Sequence, residues 1–201
     1  MKLNKLALTL ALGLGVGISG VALAEDPVVP VEPAKTVESS QGEIRFTGFI
    51  NDVPCSIDAN NLKQLVEFGE IALHELTSNQ YRSDSKDFDI VFKNCSTETY
   101  KNAKITFTGP TISGFDGFTG DLLGLGGKVK NAGIVITNGA DKIVEFGKAF
   151  PGTGEGYALN NGDGKETTLH FAAYVKGNEA ADAKATTGSF NTVANFKIIY
   201  Q

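Results

Sequence analysis

The chain has 201 residues, with 18 basic and 23 acidic side chains and a net charge of −5. This acidity argues against nucleic acid or an anionic membrane as the partner. The length suits one domain with a sizeable hydrophobic core.

The first 24 residues have the pattern of a secretory signal peptide. Lys2 and Lys5 precede an apolar, glycine-containing run, and Ala22-Leu23-Ala24 is a small-x-small cleavage site. The apolar run is too short for a membrane anchor, and no later stretch is long enough to span a bilayer. We therefore expect cleavage after Ala24 and export of the remaining chain.

Residues 25–47 are predicted to be an N-terminal extension, and residues 48–201 the folded domain. The extension begins with a proline-rich, acidic stretch that cannot pack a core by itself. From Gly42 the pattern changes to alternation, with Ile44 and Phe46 on one face and Glu43 and Arg45 on the other. This alternation is typical of a β-strand.

Further along the chain, alternating apolar residues and glycine-rich turns predict an all-β sandwich or barrel. The predicted strands are 65–71, 88–92, 103–108, 133–137, 142–146, 167–175 and 189–200. Asn138-Gly139 is a hairpin signal between two of them. Residues 61–76 are the one stretch that could form a turn or two of helix, and 109–133 is too irregular to assign.

The two cysteines, Cys55 and Cys95, are expected to form a disulfide, because an exported protein meets an oxidising compartment. The closed loop of about 40 residues would contribute roughly 4 kcal/mol in the chain-entropy model. A metal or redox pair fits less well, since the sequence has no C-x-x-C and only two histidines, His74 and His170.

No motif supports an enzyme or a cofactor site. Residues 124–128 (GLGGK) lack the upstream glycine and the Ser/Thr of a phosphate-binding loop, so a turn is the better interpretation. Residues 160–165 (NNGDGK) lack the spaced carboxylates of a calcium loop. We therefore predict a protein without catalytic activity, metal or cofactor.

The C-terminal segment has an apolar face. Phe190, Thr192, Ala194, Phe196, Ile198 and Tyr200 alternate with residues of the opposite face. An apolar strand of this kind must be paired on both sides or it promotes aggregation. The pattern alone is equally compatible with a plain final strand buried inside the domain.

The sequence resembles the fimbrial subunits (pilins) of the chaperone–usher pathway, of the type 1 and P pilus kind. The matching features are Gly188 fourteenth from the end, Ala194, Phe196 and the penultimate Tyr200. Phe46-Thr47-Gly48 also stands before Cys55 at the family's spacing, and Cys95 closes a strand as the second cysteine does in the family. The resemblance covers essentially all of the chain after the signal peptide.

The resemblance implies an incomplete immunoglobulin-like sandwich that lacks its last strand and is completed by donor-strand exchange. A periplasmic chaperone would first occupy the resulting groove and grip the C-terminal carboxylate, and a neighbouring pilin would then replace it at an outer-membrane usher. The groove strand would include Gly188, Ala194, Phe196, Ile198, Tyr200 and Gln201. The donor strand would include Ser40, Gly42, Ile44 and Phe46.

The function expected from this resemblance is that of a major structural subunit of a surface fimbria, which supports adhesion. Two alternatives remain open at this point. The protein could be a minor or adaptor subunit of the same system, or a secreted binding domain with a complete sandwich.

Overall fold

The computed structural model describes residues 41–78 and 80–201, and these form mostly β-strands. The predicted signal peptide, most of the predicted N-terminal extension and Ser40 lie outside the described residues. Among the described residues, 41–48 and the residues from Phe49 onward belong to two separate units. No helix in the described part of the chain has the length and apolar character needed to cross a membrane.

Ten strands and two short helices occur in the described residues, and most of the strands are short. They are β1 (Ser56–Ile57), α1 (Ala59–Leu62), α2 (Leu73–Thr77), β2 (Lys86–Lys93), β3 (Asn102–Thr108), β4 (Thr111–Ile112), β5 (Leu122–Gly124), β6 (Ala132–Asn138), β7 (Ala149–Phe150), β8 (Tyr157–Ala158), β9 (Glu166–Gly177) and β10 (Asn195–Tyr200).

The strands form two antiparallel sheets. The larger sheet has the order β1-β2-β9-β6-β5-β4, and the smaller has the order β10-β3-β7, with β8 also paired to β3. Apolar side chains of both sheets meet in one core. Phe107 of β3 lies with its ring centroid 6.2 Å from that of Phe88 and 5.3 Å from that of Phe171, on β2 and β9 of the other sheet. The fold is therefore a β-sandwich, as expected.

The long predicted strands are confirmed by β2, β3, β6 and β9, which contain 88–92, 103–108, 133–137 and 167–175. Each has strongly apolar residues on its inner face, such as Ile90 and Phe92 in β2. The turn at Gly139-Ala140 is also present. Burial of one strand face therefore selects these segments as strands.

Three predicted strands differ from the structure. Residues 142–146 contribute only a bridge between Ile143 and Thr137. Residues 65–71 form no strand, although Val66 and Phe68 are half-buried and alternate with exposed neighbours. The segment 44–50 is also not a strand. In each case the apolar alternation is present but a continuous hydrogen-bonded partner within the described chain is not, and a strand requires both.

The predicted C-terminal strand, 189–200, is shorter than expected, because regular pairing begins only at Asn195. Its partner β3 ends at Thr108 and is followed by Gly109-Pro110. Proline has no backbone N–H and cannot extend the ladder. The end of β3 therefore sets the start of β10.

The predicted disulfide is confirmed. Cys55 and Cys95 are bonded, and both are buried. Cys55 directly precedes β1, and Cys95 lies two residues after the end of β2. Next to the disulfide, the Ser96 N–H donates a hydrogen bond of 2.8 Å to the Pro54 carbonyl. The disulfide thus fixes the start of the segment that leads into α1.

Candidate strand-binding groove

Strand β10 lies at an edge of the smaller sheet and pairs only with β3 among the described strands. Just beyond β10, Gln201 and Asn102 exchange two backbone hydrogen bonds, each 2.9 Å long. Along one strand of an antiparallel pair, residues whose N–H and C=O groups bond to the partner strand alternate with residues whose groups point away from it. The backbone groups of Asn195, Lys197 and Ile199 therefore point toward β3, and those of Phe196, Ile198 and Tyr200 point toward the open edge.

The side chains on the inner face of the C-terminal segment pack against the core but remain partly exposed. The alternation predicted from Phe190 to Tyr200 is present in the structure, with each even-numbered residue half-buried and each odd-numbered one exposed. The Phe196 ring lies 6.3 Å from that of Phe107, and the Tyr200 ring 6.2 Å from that of Phe92. Burial raises the pKa of the Tyr200 phenol. These apolar side chains therefore pack on the core and still present part of their surface to solvent.

A groove runs beside this segment and opens onto the core. It consists of two cavities, of about 570 and 550 Å³, that follow each other along the same two walls. The first wall is formed by residues 61–71 and the second by residues 186–196. Core residues form the floor: Phe88, Ile90, Phe107, Leu123, Leu125, Ile134, Ile136, Ala173 and Val175. The Phe68 and Phe190 rings, one from each wall, lie 6.0 Å apart near the junction of the cavities.

The first wall is attached to β2 by two amide side chains. Asn61 Oδ1 accepts from the Val91 N–H at 3.1 Å, and Gln64 Nε2 donates to the Asp89 carbonyl at 2.7 Å. These two bonds supply partners for backbone groups of β2 at Asp89 and Val91, beyond the residues of β2 that pair with β1. No sequence pattern indicated this role, because Asn and Gln in a loop have many other possible partners.

Beyond Gln64, residues 65–71 make no backbone hydrogen bond to any residue that the structure describes. Leu65, on this wall, is 82% exposed, and Val193, on the opposite wall, is 62% exposed. A large apolar side chain on each rim, above a floor of buried core residues, creates an apolar site of extended shape. Such a site suits another polypeptide strand better than a compact polar ligand.

Gly188 lies where the second wall begins. Its φ of +153° is a conformation that side-chain-bearing residues rarely adopt, and an added methyl group would lie 3.3 Å from Cβ of Lys128. The position that matched the pilin signature in sequence therefore has a local structural need for glycine.

The predicted donor residues Gly42, Ile44 and Phe46 are exposed and form no regular secondary structure. Ile44 and Phe46 are 79% and 88% exposed. Their role in a neighbouring chain stays a prediction, and Ser40 is not among the described residues.

The described residues contain no group of three His, Cys, Asp or Glu side chains placed to hold a metal ion. His74 is exposed, and His170 Nδ1 lies 2.7 Å from Asp89 Oδ1 on the solvent-exposed face of the larger sheet. Neither histidine lines the groove. The groove offers apolar packing on its floor and backbone hydrogen bonding along its walls, which also carry polar side chains such as Lys63 and Glu70.

The chain is similar to known fimbrial proteins over most of its length. Residues 44–201 match the family described as "Fimbrial protein". The Major MR/P fimbria protein of Proteus mirabilis (strain HI4320) is 39% identical over 201 residues, which cover 100% of both chains.

Two solved structures share the fold and a substantial part of the sequence. One, from a study of a chaperone–usher pilus and the uncoiling of its rod, has a TM-score of 0.67 and 31% identity, and the match covers 84% of this chain and 100% of that one. The P pilus rod subunit PapA has a TM-score of 0.57 and 32% identity, and the match covers 74% of this chain and 100% of that one.

The sandwich with its open groove is thus the incomplete immunoglobulin-like fold of the chaperone–usher pilins. The chain belongs to the fimbrial protein family. It is a structural subunit of fimbriae, which are exported to the cell surface.

Proposed function

We propose that this protein is the major subunit of a fimbrial rod and polymerises head to tail through the groove. The N-terminal extension of one copy would occupy the groove of the next. The observation that carries this proposal is a two-walled apolar groove with bare backbone groups along both walls. Because the donating and accepting surfaces differ, each added copy exposes a new site, and the interface produces a fibre.

Backbone geometry specifies how an incoming strand would bind. The open edge of β10 presents the N–H and C=O groups of Phe196, Ile198 and Tyr200, as the Gln201–Asn102 pairing implies. Strand addition supplies partners for these groups, and its alternate side chains reach the groove floor. Affinity would come from the main chain and selectivity from the pockets.

The segment 40–46 has the composition that the groove requires. Ile44 and Phe46 supply apolar side chains for the floor, and Gly42 suits a shallow position. Glu43 and Arg45 lie on the opposite face and form an ion pair of 2.9 Å with each other. Ser40 would occupy the outermost position of the donor strand.

Before polymerisation, the groove needs a temporary occupant. We propose that a periplasmic chaperone lends a strand to the same open edge and that an outer-membrane usher then directs the exchange for a second subunit. The exposed apolar rims explain the need, since an unpaired edge of this kind promotes aggregation. The function requires no catalysis, metal or cofactor, and the assembled rod supports adhesion.

Refolding of residues 25–201 with and without a synthetic peptide of residues 40–54 tests the proposal. We expect aggregation without peptide and a soluble one-to-one complex with it, measured by size-exclusion chromatography with light scattering. A stable, soluble monomer without peptide would contradict the incomplete-fold account. A peptide with Gly42→Asp is the control, and it is expected not to rescue the chain.

Electron microscopy of a deletion strain separates a major from a minor subunit. Loss of all fibres of this type is expected for the major subunit. Fibres of normal length and number in the deletion strain would assign the protein to a minor or adaptor role.

A further inference from the structure

The part of the second wall that precedes β10 is held in place by close contacts with glycines and not by backbone hydrogen bonds. Residues 187–193 make no backbone hydrogen bond to any described residue, yet the side chains from Phe190 to Val193 keep the alternation of an extended segment. An extended segment without hydrogen bonds needs another constraint to hold a fixed position. The structure supplies three close backbone contacts.

The first contact is made by Gly109, the residue that directly follows β3. The pairing of Asn195 with Thr108 brings the preceding residues of the wall beside Gly109, just after β3 ends. A methyl group added to Gly109 would lie 2.9 Å from the Val193 carbonyl oxygen and 2.4 Å from Leu123 Cδ1. The buried side chain of Leu123 would have to repack, and the wall backbone would have to move.

The next two contacts come from the turn between β5 and β6. A methyl group on Gly126 would lie 2.9 Å from the Asn191 carbonyl oxygen, and one on Gly127 would lie 2.6 Å from that of Ser189. The contacted carbonyls thus belong to residues 189, 191 and 193, every second residue of the wall. Both glycines have positive φ, +68° and +67°. This is the glycine-rich stretch that the sequence indicated to be a turn and not a phosphate loop.

We propose that Gly109, Gly126 and Gly127 position the second wall of the groove by direct backbone contact, where β3 no longer supplies hydrogen bonds. They thereby set the groove width available to an incoming strand. This inference rests on the proposed function, because it concerns how the same groove accepts a strand.

The contacts predict the direction of the effect. The three carbonyls lie on the side of the wall that continues toward β3, opposite to the open edge. A methyl group at any of the three glycines therefore pushes the wall toward the groove. Narrowing should impair strand entry more than it impairs folding.

Gly127→Ala tests this, with Gly164→Ala as the matched control. Gly164 has nearly the same φ, +69°, but nothing lies within 4 Å of its added methyl group. Both variants therefore place a side chain at nearly the same positive φ. Each variant is refolded with the 40–54 peptide, and a fluorescent copy of the same peptide is then added to compete for the groove. We expect the affinity of Gly127→Ala for the fluorescent peptide to be at least about tenfold lower than that of Gly164→Ala.

Gly109→Ala gives a second test without positive-φ strain, and Gly152→Ala is its control, since the nearest atom to that methyl group is 3.9 Å away. Weaker peptide binding by Gly109→Ala than by Gly152→Ala, with near-ultraviolet circular dichroism spectra of the two complexes alike, supports the inference. Equal peptide binding in both matched pairs would overturn it and leave the proposed function intact. Failure of the unsubstituted chain to bind peptide would overturn both.

Discussion

Phe196 contributes to the core and to the groove at the same time. It packs on Phe107 and also lines the groove. We expect Phe196→Ala to lower the free energy of unfolding of the peptide complex by about 2–4 kcal/mol, as large-to-small changes in a partly open core do. Urea denaturation measures this loss. Lys197→Ala, on the exposed face of the same strand, is the control and should change the free energy by less than about 0.5 kcal/mol.

Tyr157 carries a buried hydroxyl that makes no hydrogen bond of ordinary geometry to the described residues, although the nearby Asn138 side chain acts to lower its pKa. Tyr157→Phe removes this unsatisfied group and retains the ring packing against Phe171. We expect the free energy of unfolding to rise by as much as about 1–3 kcal/mol. A clear loss of stability in thermal unfolding would show that the hydroxyl has a partner after all.

Tyr157 also makes the stability of the folded state depend on pH in the alkaline range. Burial raises the pKa of Tyr157, Tyr174 and Tyr200, so the folded state favours their protonated forms. Stability is then fully present below the unfolded pKa of about 10 and is lost as pH rises through the folded values. Tyr157→Phe should make the loss of stability above about pH 10 less steep. An unchanged slope would show that Tyr157 does not contribute.

At the scale of elements, the donor segment and the groove should be separable by mutation. Gly42→Asp places a charged side chain on the face that would enter the groove, whereas Thr47→Asp places one on the opposite face. We expect the first variant to form a stable complex with a chaperone or a donor peptide but to form no fibres. The second should polymerise. Normal fibres from Gly42→Asp would show that the proposed donor register is wrong.

The strands of this domain differ in how far their sequences predict them. Strands β2, β3, β6 and β9 were predictable because an apolar inner face, such as Ile90 and Phe92, is a local pattern. Residues 65–71 carry a similar pattern and form no strand, because strand formation also needs a hydrogen-bonding neighbour. The position of Asn61 beside Val91 depends on the fold of the whole domain and leaves no pattern in the sequence.

The candidate site was predictable in part for the same reason. The inward face of Ala194, Phe196, Ile198 and Tyr200 follows from alternation alone. The first wall of the groove and the three glycines behind the second wall were not predictable. Their roles depend on contacts between segments far apart in the chain, such as Gly127 with Ser189.

At the scale of the whole molecule, the fold is a sandwich whose core is open along one groove. The core residues Leu123, Ile134 and Ile136 form the floor of this groove, and the large apolar side chains on its rims, Leu65 and Val193, are exposed. The free energy that would complete the core is therefore available for assembly. Folding and polymerisation become one process when the missing strand comes from a neighbour.

Hydrogen exchange of backbone amides in the complex with the 40–54 peptide tests this account most directly. The Lys197 and Ile199 amides should be protected by β3, and the Phe196 and Ile198 amides should be protected to a similar degree by the added strand. Rapid exchange at Phe196 and Ile198, with slow exchange at Lys197 and Ile199, would contradict the account, because the open edge of β10 would then have remained unpaired.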